Sequence, residues 1–174
     1  TRHLAPNIIV QSAGKTNTSI HPKLSVVLRE KNIDTLDPEK ITKDNITPRN
    51  STRLIDTAIE ELEELEKKIN NNKELTGIFA LLTDGKDNVS NNSEVDLNKL
   101  ILKLRDNINC IFLGANQDAI SQGSKYGFTR EQSLTYTSKG TTSENAMRSL
   151  SSNISRISAG KKVGFTDLER INSK

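Results

Sequence analysis

Asp84 and Asp118 each stand just past an apolar run, where a carboxylate is well placed to bind or react. The first run is Gly77-Ile78-Phe79-Ala80-Leu81-Leu82-Thr83, which opens into Asp84-Gly85-Lys86-Asp87-Asn88. The second is Asn109-Cys110-Ile111-Phe112-Leu113-Gly114-Ala115, which opens into Asn116-Gln117-Asp118-Ala119. In open parallel sheets ligands sit outside the carboxyl ends of the strands, the edge these acidic and amide side chains would occupy. An aspartate after a strand is also an ordinary turn-former, so the pattern alone does not separate a ligand from a cap.

Other reactive constellations are missing. His3 and His21 lie in polar sequence with no cysteine or carboxylate at ligand spacing, and there is no Gly-x-Ser-x-Gly elbow. Gly14-Lys15-Thr16 after a short apolar run offers a phosphate-binding loop as the alternative reading, a nucleotide-binding enzyme. The full motif needs a glycine five residues before Gly14, where Ile9 stands, and Pro22 interrupts the helix that should follow the lysine. The chain therefore reads as a non-enzyme.

The two apolar runs need elements to hold them. Each reads as a buried strand, and the stretch between them, around residues 94–105, carries Val95, Leu97, Leu100, Ile101 and Leu104 at helical spacing. That is a strand–helix–strand unit of a parallel sheet, whose ligands sit outside the carboxyl ends of the strands. Upstream, Leu54, Ile55, Ala58, Ile59, Leu62, Leu65 and Ile69 predict a helix over 53–69, with Asn50, Ser51 and Thr52 as N-cap types. Its Glu-rich outer side reads as a solvated face. Asn7 to Val10 reads as a further strand and Leu24 to Leu28 as a second apolar run, with loop at 30–52. A short helix near 118–125, a turn at 126–128 and a final helix over 143–157 complete the pattern. Residues 1–157 read as one domain with its N-terminal part truncated, and 158–174 as a flexible tail.

Composition narrows the class. Only 33% of the 174 residues are hydrophobic and 3% aromatic. Even with nine glycines added, this falls below the roughly 45–50% of ordinary domains. Such a core is small and aliphatic, and suits a component completed by neighbours. The net charge of +3 is spread among both signs. Arg148, Arg156, Lys161 and Lys162 have no interleaved aromatics for base stacking, so no nucleic-acid partner is expected. No run is long enough to span a membrane and no signal peptide is visible. The lone Cys110 points to a reducing compartment. Six Asn-x-Ser/Thr sequons are what an Asn-, Ser- and Thr-rich chain yields by chance. The chain does not open on Met and reads as a fragment or processed product.

One resemblance joins these features. Ile78-Phe79-Ala80-Leu81-Leu82-Thr83-Asp84-Gly85, followed by Lys86-Asp87-Asn88-Val89-Ser90, resembles the fourth-strand segment of von Willebrand factor A domains. The stretch Asn50 to Ile59 is similar to that family's Gly-x-Thr-x-Leu-x-Asp-Ala-Ile segment. Phe112 to Ala119 resembles the next strand end in small stand-alone phage, viral and bacterial members. The resemblance implies an α/β fold with a mainly parallel central sheet flanked by helices on both faces. It implies a magnesium ion at the carboxyl edge, held by Thr52 and Asp84, with Lys86, Asp87, Asn88, Asn116, Gln117 and Asp118 meeting a protein partner. The family's first loop, Asp-x-Ser-x-Ser, is degenerate or missing: after Val10 the chain reads Gln11-Ser12-Ala13-Gly14-Lys15. The implied role is protein–protein interaction or structural assembly, in the cytoplasm or in a virus particle.

Overall fold

The computed structural model describes residues 7–10, 53–71, 77–85, 87–161 and 164–174. Four parallel strands form one sheet in the order β1-β2-β3-β4: β1 (Asn7–Val10), β2 (Gly77–Thr83), β3 (Ile108–Ala115) and β4 (Ser133–Tyr136). Parallel neighbours need a crossover between them. Those crossovers contain α1 (Leu54–Asn71), α2 (Glu94–Leu104) and α3 (Ala119–Lys125), while α4 (Thr141–Ser158) and α5 (Asp167–Asn172) follow β4. Register runs Asn7 opposite Phe79, Phe79 opposite Cys110 and Phe112 opposite Ser133.

Alternation along β2 and β3 builds two separate cores, because successive side chains point to opposite faces. Phe79, Leu81, Ile108, Cys110 and Phe112 face α1 and α2, meeting Leu54, Ala58 and Leu62 from α1 and Leu97, Ile101 and Leu104 from α2. Ile78, Ala80, Leu82, Ile111 and Leu113 face the other way, against Ala146, Leu150 and Ile157 of α4. Both faces of the sheet are thus covered by helices, as expected from the sequence, and strands buried on both sides read as continuous apolar runs. A fully buried side chain of this size stabilises by about 1.5–3 kcal/mol, so the two clusters carry the fold without tryptophan. The first also packs aromatic rings, with Phe112 at 5.3 Å from Phe128 and 5.9 Å from Tyr126 between centroids.

Local signals set the helix positions. Ser93 caps α2 in a reciprocal box with Asp96, satisfying two of the orphan amides of the first turn. Gly123 lets α3 lie close against the sheet: a Cβ there would sit 2.6 Å from Ser133 Oγ and 3.1 Å from Phe112 Cδ1.

Two expectations are corrected. The polar stretch after residue 128 contains a strand, β4, whose Leu134 is fully buried. The segment beyond 158 is not a loose tail: Phe165 is buried in the second core, and Ser173 is 0% exposed. Arg156 donates to both carboxylate oxygens of Glu169, at 3.0 Å each. Arg170 donates to the carbonyls of Arg130, Glu131 and Ser133. Residues 164–174 are therefore part of the domain. The apolar run at Leu24 to Leu28 lies outside the described residues.

Candidate functional site at the carboxyl edge of the sheet

All four strands being parallel, their carboxyl ends share one edge. Register places Thr83 opposite Gly114 and Gly114 opposite Thr135, with Ala115 opposite Tyr136 in the next row. Asp84 follows Thr83 directly and so lies at the level of Ala115 and Tyr136. It is exposed. Burial pushes the phenol of half-buried Tyr136 up, and the charge of Asp84 pushes it further in the same direction.

The turn beneath Asp84 is fixed locally. Thr83 Oγ1 donates to Gly85 O at 2.9 Å and accepts from Gly85 N at 3.2 Å. Gln117 Nε2 donates to Thr83 O at 3.4 Å, which ties the ends of β2 and β3 together. Asn116 takes φ +54°, a left-handed conformation that asparagine tolerates better than most residues. Its Oδ1 accepts from Ser138 N at 3.0 Å and its Nδ2 donates to Ser138 Oγ.

The other acids named from sequence serve the backbone. Asp118 is the N-cap of α3, accepting from Ile120 N and Ser121 N at 3.1 Å each. Asp87 accepts from Ile55 N and Ser90 N at 3.2 Å each, and from Ser90 Oγ. Asn88 is exposed on the same loop. Thr52 and Lys86 lie outside the described residues, as do Gly14, Lys15 and Thr16 of the phosphate-loop alternative.

Asp56, in the first turn of α1, is the residue that sequence reasoning passed over. Its side chain is 2% exposed. It accepts from Asn91 N and Asn92 N at 2.9 Å, from Asn92 Nδ2 at 2.8 Å and from Arg53 Nη2 at 2.9 Å. Burial alone would push this carboxyl up. The hydrogen bonds from the Asn91 and Asn92 amides, with Arg53 and the Asn92 side chain, outweigh it and hold the group well below the usual carboxylate range. In return, Asp56 N donates to Ser90 Oγ at 3.0 Å. Asp56, Asp87 and Ser90 thus clasp the start of α1 to the loop that carries Asp84. A first-turn acid followed far downstream by Asp-Asn-x-Ser-Asn-Asn was the available signal, and it resembles an ordinary cap.

Among the described residues, no three His, Cys, Asp or Glu side chains are grouped to hold a metal ion. Of the two ligands the resemblance implies, the described residues bring Asp84 to the edge, and Thr52 lies outside them. No described helix is long and apolar enough to cross a membrane. No protein-family model, no curated protein and no solved structure matches this chain.

Proposed function

We propose that the chain is a non-enzymatic interaction or assembly module of the von Willebrand factor A type, meeting a protein partner at the carboxyl edge of its sheet. The observation that carries this reading is the exposed Asp84 carboxylate beside Tyr136, on a turn braced by Thr83 and Gln117, while Asp87 and Asp118 are engaged by backbone amides. In this reading Asp84 and Thr52 hold a magnesium ion, and a partner carboxylate replaces one of its waters. The low apolar content of the chain supports a component that gains stability from neighbours.

The test is a thermal-unfolding titration with magnesium and manganese chloride, on the wild type and on Asp84→Ala. Binding at this site raises the melting temperature saturably, by RT ln(1 + [L]/Kd), about 1.4 kcal/mol at ten times Kd. Asp84→Ala abolishes the rise. A flat response in the wild type removes the metal from the proposal and leaves a static assembly contact at the same edge.

A further inference from the structure

Among the described residues the sheet ends at β4, and the backbone groups on its outer side follow from the ladder on the other side. Phe112 N donates to Gln132 O at 2.9 Å and Asn116 N to Tyr136 O at 2.8 Å. The even-numbered residues therefore face β3, and Ser133, Thr135 and Thr137 present their N–H and C=O outward. Two of those groups are satisfied nearby: Ser133 N by Arg130 O, and Thr137 O by the hydroxyls of Thr142 and Ser143. Four remain: Ser133 O, Thr135 N, Thr135 O and Thr137 N.

The C-terminal segment covers the outer two. Arg170 Nη1 donates to Ser133 O at 2.6 Å, and Thr137 N donates to Ser173 O at 3.1 Å. Neither backbone group of Thr135 meets a partner among the described residues. The covering helix is inverted: its Glu169 and Arg170 face the protein, while Leu168 and Ile171 are 66% and 69% exposed. Apart from Phe165, the segment is latched by polar and charged contacts rather than by apolar burial.

We propose that the β4 edge is a self-complementary docking strand for a second copy of this chain, and that residues 164–174 are the strap that masks it. The four groups fit this occupant. Laid antiparallel about a two-fold axis through Thr135, the Thr135 N–H and C=O of each copy pair with those of the other. Ser133 O of each copy then accepts from Thr137 N of the other. Two donors meet two acceptors with none left over, which is the isologous contact of a closed dimer. The strap uses the same Ser133 O and Thr137 N, so strap and second copy are mutually exclusive. Covering an edge in this way is a known guard against unwanted pairing. The inference rests on the assembly reading above, but Asp84 takes no part in it.

The experiment is light scattering after gel filtration on the full chain, with amide hydrogen exchange at Thr135 and Thr137. The wild type should run as a monomer of 19.3 kDa. Arg170→Ala, which frees Ser133 O, should double the mass at about 100 μM. The Thr135 amide should then exchange about tenfold more slowly than in the wild type. Adding Thr135→Pro removes an outward donor without touching the β3–β4 ladder, and should return the mass to that of the monomer. Where circular dichroism shows Arg170→Ala unfolded, Arg156→Ala releases the same latch through Glu169 and is held to the same outcomes. A folded latch variant that stays monomeric overturns the proposal, as does a dimer whose Thr135 amide is no slower, or a polydisperse mass. A monomeric latch variant overturns this inference and leaves the metal site standing, whereas a flat metal titration removes the metal site and leaves this inference standing.

Discussion

Replacing Asp56 by alanine tests the clasp that ties the carboxyl edge to α1. The wild-type carboxylate accepts two backbone amides, the Asn92 side chain and the Arg53 guanidinium, all at 2.8–2.9 Å at their shortest. A hydrogen bond to a charged group contributes about 1.5–3 kcal/mol, and such contributions are not additive. Arg53 is 32% exposed, and Asn91 and Asn92 are exposed, so the orphaned donors recover water. The cost should be about 3 kcal/mol, a fall in melting temperature of roughly 6–12 °C for a domain of this size. Asp56→Asn should lose nearly as much, because its amide turns a donor toward amides that need an acceptor. The dependence on pH fixes the cause. Since the folded pKa is depressed, the contribution is complete above the unfolded value of about 3.9 and is lost as pH falls from there toward the folded value. Urea unfolding of wild type and Asp56→Ala at pH 7, 5, 3 and 2 should therefore give a difference that is constant at the first two and shrinks at the last two. A variant within about 0.5 kcal/mol of wild type at pH 7, or a difference that persists unchanged at pH 2, would refute this account.

Asn153 is 0% exposed on α4, and neither its Oδ1 nor its Nδ2 has a hydrogen-bond partner among the described residues. Asn153→Leu should stabilise by about 1–3 kcal/mol, because an unsatisfied buried polar group is removed at similar volume; a lower urea midpoint would show that the amide is paired. Cys110 is 1% exposed, and burial pushes its thiol up to about 12. A thiol-specific reagent at pH 8 should label it only as fast as the domain opens, with a rate that climbs with urea. Full-rate labelling in native buffer would contradict that burial.

The elements legible in the sequence are those whose burial follows a simple period. The helical spacing from Leu54 to Ile69 gives α1, observed over Leu54–Asn71. The two apolar runs give β2 and β3, because a strand covered on both faces has no polar phase to interrupt it. β4 is obscured because Ser-Leu-Thr-Tyr offers one large aliphatic side chain, and its pairing with β3 is a non-local fact. α5 is obscured for the opposite reason: its inward residues are Glu169 and Arg170 and its outward ones Leu168 and Ile171, which inverts the pattern a reader looks for. At the candidate site the residue types were visible but not their employment. Asp84, Asp87 and Asp118 all follow strands or turns, yet only the fold brings the Ile55 amide to Asp87 and leaves Asp84 exposed. Asp56 was invisible because nothing local says that its acceptors will be filled from 35 and 36 residues away.

The clasp also bears on the order in which the chain assembles. The first turn of a helix leaves its amide groups without partners inside the helix. In α1 the amides of Ile55 and Asp56 are satisfied by Asp87 and Ser90, 32 and 34 positions further along. That contact requires a long loop to close, at an entropic cost that local capping avoids. The Glu- and Lys-bearing half of the helix has its own Glu64–Lys68 pair, and Lys103 of α2 reaches Glu66 at 2.9 Å. The first turn of α1 is therefore completed only when β2 and the following loop are in place.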